Sequence, residues 1–200
     1  LPLMLAQLCC EKKYQFTQIS SGCIYGGYEK HFTEKDTPNF DFQNGSFYSG
    51  TKALAEKVVL QNNPNSYVFR LRIPFDQYAS PRNYLTKLLS YDTLLDAENS
   101  LSHRADFAKY VMELINQEVP HGIYNVTNKG SVTTKDVVEL IKKHNLSNKD
   151  FKFFDDLESF GKETIAPRSN CVLDTTKIEQ YTKIRTATEA LEEALSKYKQ

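Results

Sequence analysis

The strongest constraint on this chain is the order of elements along residues 1–74. Residues 1–13 read as the end of an amphipathic helix, with Leu1, Leu5 and Leu8 on one face. Tyr14-Gln15-Phe16-Thr17-Gln18-Ile19 follows as a strand and runs into the small-residue turn Ser20-Ser21-Gly22. Residues 26–45 hold turn formers and charges and read as a long loop. From Ser46 to about Leu60 the pattern is helical, with Ala53, Leu54, Val58 and the flanking Tyr48 at helix-compatible spacing, until Asn62-Asn63-Pro64-Asn65 stops it. Tyr67-Val68-Phe69-Arg70-Leu71-Arg72-Ile73 is a second strand, ended by Pro74. Helix, strand, loop, helix and strand in succession mark an alternating α/β domain. The pattern begins in mid-course. A doubly wound sheet has earlier strands and carries a phosphate-binding glycine turn on the first of them, yet no Gly-x-Gly-x-x-Gly occurs here. The expected fold is the carboxyl-terminal part of a doubly wound parallel sheet, without its amino-terminal half, plus a smaller α/β region.

Beyond Pro74 the character changes. A helix is expected after Pro81, with Tyr84, Leu85, Leu88 and Leu89 as its apolar face, and another over roughly 104–117. Gly122-Ile123-Tyr124-Asn125-Val126-Thr127 reads as a strand that returns to the sheet. Thr133-Thr134-Lys135-Asp136 is a capping box that opens a helix over Val137–His144. A last helix covers about 187–199, with Leu191, Ala194, Leu195 and Tyr198 on one stripe.

Charge and cysteine content exclude some function classes. The 25 basic and 25 acidic residues cancel, which argues against nucleic-acid binding driven by bulk electrostatics but not against a local anion pocket. No stretch is long enough for a membrane span. Leu1-Pro2-Leu3-Met4-Leu5-Ala6 lacks the basic flank and cleavage site of a signal peptide. Cys9, Cys10, Cys23 and Cys171 show no metal-ligand or disulfide spacing, so no metal is expected and a reducing, cytoplasmic setting is the simplest reading.

Chemistry concentrates in Tyr48-Ser49-Gly50-Thr51-Lys52. Positions i and i+4 share a helix face. A phenol has an ordinary pKa of about 10, and a nearby ammonium favours the phenolate and lowers that value. Such a tyrosine can exchange a proton with a carbinol oxygen while hydride moves at carbon. The spacing alone also suits a plain amphipathic helix with a solvated lysine. What adds weight is Ser20-Ser21-Gly22-Cys23-Ile24-Tyr25-Gly26 at a strand end, where open α/β sheets place ligands. Ser21, Tyr48 and Lys52 together resemble the extended short-chain dehydrogenase/reductase family, Rossmann-fold enzymes that use NAD or NADP to oxidise, reduce, epimerise or dehydrate nucleotide sugars. That resemblance makes residues 1–75 the latter half of the cofactor-binding domain. It makes 76–200 mainly a substrate-binding region, with sheet elements returning near 104–127. Without the glycine turn and the ribose-binding acid, the chain alone is expected to hold NADPH or NADH weakly and to be inactive.

Further motifs narrow the resemblance: Phe47-Tyr48-Ser49, Leu71-Arg72-Ile73-Pro74, Pro81-Arg82-Asn83-Tyr84-Leu85-Thr86-Lys87, Gly122-Ile123-Tyr124-Asn125-Val126-Thr127-Asn128 and Ala166-Pro167-Arg168-Ser169-Asn170. Together they are similar to the bifunctional 3,5-epimerase/4-reductases that make nucleotide-linked L-rhamnose, the plant and giant-virus forms above all. The resemblance implies that Ser21, Tyr48 and Lys52 catalyse reduction and that Cys23 and Lys87 exchange the protons at C3 and C5. It also implies that Tyr48, Lys52, Arg72 and Pro74 contact the cofactor, and that Arg82, Asn83, Arg168 and Asn170 contact the nucleotide sugar. The catalytic lysine at 87 would need burial to act at neutral pH. From the residues alone, a small buried hydrophobe is the favoured account of Cys23, while Lys87 could equally be a solvated helix residue and Arg168 half of a surface ion pair. Ser102-His103-Arg104-Ala105-Asp106 departs from the family's more apolar segment, and His103 is read as solvated. The alternatives are a 4-ketosugar reductase or 4-epimerase without 3,5-epimerase activity, and a non-catalytic cofactor-binding regulatory subunit. Oligomeric state stays open, with a homodimer allowed.

Overall fold

The structure is a computed structural model that describes residues 1–164 and 166–199. In chain order it contains α1 (Pro2–Glu11), β1 (Phe16–Ser21), α2 (Phe47–Asn62), β2 (Ser66–Leu71), β3 (Pro74–Phe75), α3 (Tyr84–Ser90) and β4 (Thr93–Leu94). Then follow β5 (Ser102–His103), α4 (Arg104–Asn116), β6 (Gly122–Asn125), α5 (Thr134–Lys143), β7 (Lys152–Phe153), α6 (Leu157–Lys162) and α7 (Ala187–Ser196). The main sheet is three-stranded, ordered β1-β2-β6, and parallel throughout. β3 pairs with β5 and β4 with β7, both in parallel.

The central strand β2 explains the layering. Successive side chains of a strand point to opposite faces. Tyr67 and Phe69 pack with Tyr110, Val111 and Leu114 of α4 and with Tyr124. Val68 points the other way, to Ala6 of α1 and Val59 of α2. The sheet is thus covered on both faces, as parallel sheets require. By the same alternation Arg70 falls on the α2 side. A second core, built from Leu85, Leu88, Val137, Ile141, Leu191 and Leu195, joins α3, α5 and α7 into the smaller region. The expected capping box at Thr133 and Asp136 forms and opens α5. None of the described helices is long and apolar enough to cross a membrane.

Several local expectations are corrected. Ser20 and Ser21 belong to β1 rather than to a turn, because their backbones pair with Arg70 and Leu71. The Leu1, Leu5 and Leu8 face of α1 is exposed, and Ala6 is the residue that meets the sheet. In α2 the buried positions are Ser49, Gly50, Glu56 and Val59, while Tyr48 and Leu54 are exposed. The inward stripe is small and polar because the helix seats on an ion pair as well as on an apolar surface. Pro74 does not merely stop β2. The strand ends at Leu71, Ile73 takes a left-handed backbone with φ of 39°, and Pro74 starts β3 in a different sheet.

Candidate active site

The carboxyl end of β1 carries the expected serine. Ser21 is buried, and its Oγ accepts a hydrogen bond from the Cys23 amide at 3.2 Å, capping the short turn Gly22–Ile24. A side chain on Gly22 would have its Cβ 2.7 Å from the Leu173 methyl and 3.3 Å from the Arg72 stem, so a larger residue there would have to displace Leu173. Opposite, α2 presents Tyr48 from its first turn. The helix is N-capped by Ser46, which accepts from the Ser49 amide at 3.1 Å. Gly50, buried in the first turn of α2, leaves room for the Phe42 ring, with which a Cβ would collide.

The electrostatics of Tyr48 differ from expectation. Although the residue as a whole is exposed, partial enclosure of its phenol pushes it above the ordinary value, against the pull of the neighbouring Ser21 hydroxyl; the Cys23 sulfur adds to the rise and the Arg72 cation opposes it. Lys52 is not the group that tunes it. Its ammonium lies over the face of the Tyr48 ring, 5.7 Å from the centroid, and donates to the Ile19 carbonyl at 3.3 Å. The phenol is therefore held in its neutral, proton-bearing form across the neutral range. One N–H of Lys52 is spent on the sheet, and an ammonium has two more to offer.

Arg72 is not free to meet a cofactor. It is buried, and its guanidinium donates to Cys23 Sγ at 3.0 Å, Ser169 Oγ at 3.0 Å, Asn99 Oδ1 at 2.5 Å and the Ser169 carbonyl. Pro74 is half-buried in β3. The same network brings in Asn170, whose Oδ1 accepts from Asn99 at 3.2 Å. Arg168 is exposed, and it takes part in no ion pair among the described residues.

The α3 residues divide. Arg82 and Lys87 are exposed, so the burial expected of Lys87 is absent. Asn83 is fully buried and spends its whole amide internally. Its Nδ2 donates to the Asp76 carbonyl at 2.8 Å, Asp76 Oδ1 at 3.0 Å and the Tyr78 carbonyl at 2.7 Å, while Oδ1 caps α3 through the Leu85 amide at 3.1 Å. Asn83 is a structural cap rather than a sugar contact. Asn83→Ala is expected to cost about 1–3 kcal/mol, since a buried acceptor set and a helix cap are lost together. Urea unfolding followed by circular dichroism measures this; a loss within error of zero would return Asn83 to the binding surface.

Two features went unread in the sequence. Glu56, one turn beyond Lys52, forms a buried ion pair with Arg70: Nη2 to Oε2 at 2.6 Å and Nε to Oε1 at 2.9 Å. Ser20 Oγ donates to the same carboxylate at 2.6 Å, and Arg70 Nη1 donates to Tyr25 Oη at 2.9 Å. The available signal was a lone arginine inside an apolar strand and an i+4 continuation of the Tyr48/Lys52 face. The second is His103, which is buried rather than solvated; its Nδ1 sits 3.5 Å from Asp106 and 3.1 Å from Arg185. Burial opposes ionisation of Asp106, but hydrogen bonds from His103, Arg185 and Asn128 outweigh it and hold the carboxyl down at about 2.

Comparison with known proteins places this geometry among relatives. A family profile described as the RmlD substrate binding domain matches residues 2–200. A bifunctional dTDP-4-dehydrorhamnose 3,5-epimerase/dTDP-4-dehydrorhamnose reductase of Arabidopsis thaliana is 35% identical over 185 residues, covering 88% of this chain and 60% of that enzyme. The crystal structure of the L780 UDP-rhamnose synthase from Acanthamoeba polyphaga mimivirus superposes with a TM-score of 0.89 at 28% identity, over 98% of this chain and 69% of that one. A dTDP-4-dehydrorhamnose reductase from Bacillus anthracis, solved in complex with NADP, shares the fold with a TM-score of 0.77 at 15% identity, over 98% of this chain and 69% of its own. The chain therefore spans 60% of the length of the plant relative it matches.

Proposed function

Because the chain belongs to the RmlD substrate-binding domain family, we propose that it is the proton-handling part of a nucleotide-sugar 3,5-epimerase/4-reductase that converts a nucleotide-linked 4-keto-6-deoxyglucose to L-rhamnose. The observation that carries this reading is the gathering of Ser21, Cys23 and Tyr48 at one strand end, close enough for the hydroxyl and the sulfur both to act on the phenol.

The donor set fits the nicotinamide end of NADPH or NADH: an exposed phenol edge beside a lysine with spare N–H donors. Tyr48 and Lys52 are the residues that would hold it. When bound, such a cofactor supplies hydride. The protein's own part in reduction is to give a proton from the Tyr48 phenol to the C4 oxygen, leaving a phenolate that the Ser21 hydroxyl and the Arg72 cation stabilise. In epimerisation Cys23 takes a proton from C3 or C5, the electron pair of the C–H bond moves into the C4 carbonyl, and the Lys87 ammonium returns a proton on the opposite face. Arg82 and Arg168, both exposed and cationic, suit the diphosphate, to which a guanidinium can donate two parallel hydrogen bonds. Asn170 lies two residues after Arg168 in the sequence.

One observation favours a reductase without the epimerase step: Lys87 is exposed, whereas the epimerase role calls for burial. Cys23→Ala in the complete enzyme separates the two readings. Rhamnose formation from the 4-keto-6-deoxyglucose substrate is expected to fall about 10²–10⁴-fold, the usual worth of a positioned base, with deuterium uptake at C3 and C5 lost. Product formation at the parent rate would leave only the reductase.

A further inference from the structure

We propose that Arg72 is a positioning residue for Cys23: its buried guanidinium anchors the sulfur and faces it with the positive charge that compensates its negative charge before it takes a ring proton. The inference rests on the epimerase reading of Cys23 given above and names the residue that makes it work.

Arg72 is 1% exposed, yet no carboxylate among the described residues lies within ion-pair distance of it. Arg70, two residues earlier and equally buried, has the Glu56 carboxylate in bidentate contact. A buried charge without a partner is costly, by several kcal/mol even after relaxation, so structures keep one only where something compensates it. The acceptors that Arg72 does have are neutral: the Asn99 amide oxygen and the oxygens of Ser169. Its Nε is buried and has no hydrogen-bond partner. The remaining contact is Cys23 Sγ at 3.0 Å.

The other ionisable groups around it do not supply the missing charge. Tyr48 of α2, Tyr28 of the loop after β1 and Cys171 of the closing segment all feel the Arg72 cation, but burial pushes each above its ordinary value and keeps it neutral. Glu29 acts on Cys171 only as its weakest influence. Cys23 is the one group in hydrogen-bond contact that gains from the guanidinium when it carries negative charge. It is also partly exposed, whereas Cys171 is fully buried, so of the two it is Cys23 that a substrate can reach.

The backbone agrees. Ile73, directly after Arg72, sits at φ of 39°. That region is costly for a β-branched side chain, and such strain collects where a functional geometry is being held. The kink ends β2 and sends the chain into β3, with Arg72 left at the bend. Through Asn99 and Ser169 the same guanidinium ties the strand end to the segment that carries Arg168 and Asn170. One residue thereby couples the acid–base sulfur to the proposed nucleotide side of the site.

Thiol reactivity tests this without substrate or cofactor. In a Cys9→Ser/Cys10→Ser background, the rate of iodoacetamide alkylation at Cys23 is followed against pH by peptide mass spectrometry, with Cys171 as the buried internal reference. Arg72→Met, which removes the cation in contact with the sulfur, is expected to slow alkylation of Cys23 at pH 7 about tenfold. Arg72→Lys keeps a cation at the site and is expected to recover part of that rate, which also covers the case in which Arg72→Met fails to fold. An Arg72→Met profile superposable on the parent's, or an Arg72→Lys profile no nearer the parent's than that of a neutral substitution such as Arg72→Gln, would overturn the proposal. Failure of the epimerase reading looks different: rhamnose formation would survive Cys23→Ala while the Arg72-dependent thiol profile persisted.

Discussion

Replacing Glu56 by leucine is expected to destabilise the protein by about 3–5 kcal/mol, the cost of stranding a buried arginine without its counter-ion. Glu56 and Arg70 are 4% and 1% exposed, and their contact is bidentate. Removing the carboxylate leaves a guanidinium in a site closed to water, together with an unpaired Ser20 hydroxyl. The measurement is urea unfolding by circular dichroism. The companion variant Glu56→Leu/Arg70→Met removes both charges and is expected to recover most of the loss, because a buried pair replaced by apolar side chains of similar volume is often neutral. A single-variant loss below about 1 kcal/mol, the range of a solvent-screened pair, would mean that water reaches Arg70. The functional consequence follows from position. Glu56 is two turns along α2 from Tyr48 and one from Lys52, so the ion pair fixes how the helix lies on β1 and β2. Even a well-folded double variant is expected to lose activity through misplacement of Tyr48.

Tyr48→Phe in the complete enzyme is expected to lower reduction at C4 by about 10²–10⁴-fold or more while leaving deuterium exchange at C3 and C5 in place. The two steps use different acids and bases, Tyr48 for the first and Cys23 with Lys87 for the second. Loss of both activities would mean a shared proton donor, and the division of labour proposed here would fall. The pH dependence follows from the direction of the shift. Burial raises the Tyr48 phenol above its ordinary value of about 10. The proton-bearing form, which reduction consumes, is therefore full throughout the neutral range and is lost only as pH climbs through that raised value. Reduction is expected to stay level in its tyrosine-dependent part across neutral pH and to decline on the alkaline side. A decline beginning near neutrality would show that a bound partner overrides burial and lowers the phenol.

The alternating helices and strands were legible in the sequence because a fully buried parallel strand such as Tyr67-Val68-Phe69 is an apolar run between stop signals, although the apolar spacing of α1 and α2 did not reveal which of their faces is buried. The helix capped at Thr133 was equally plain, for its start signal lies within one turn of the apolar stripe, and the carboxyl-terminal helix was legible from its stripe; its cap at Thr186 emerged only in the structure. The short parallel pairs β3 with β5 and β4 with β7 were not legible. Two-residue strands have no period, and their partners lie tens of residues away. Asn83 was expected at the ligand only through the family resemblance, and an asparagine reads the same in sequence whether its amide faces a sugar or the protein's own carbonyls.

The spacing of Tyr48 and Lys52, the strand-end Ser21 and the neighbouring Cys23 were determined by the sequence alone, since each depends on contacts within a helix turn or a strand end. Which cation serves which group was decided by the tertiary structure. Lys52 was expected to tune the phenol and instead donates to the sheet, while Arg72 reaches the sulfur and the surroundings of Tyr48 from a different strand. Electrostatic partnership depends on distance through space and on how much water lies between the groups, and neither is written in the spacing of residues along one chain.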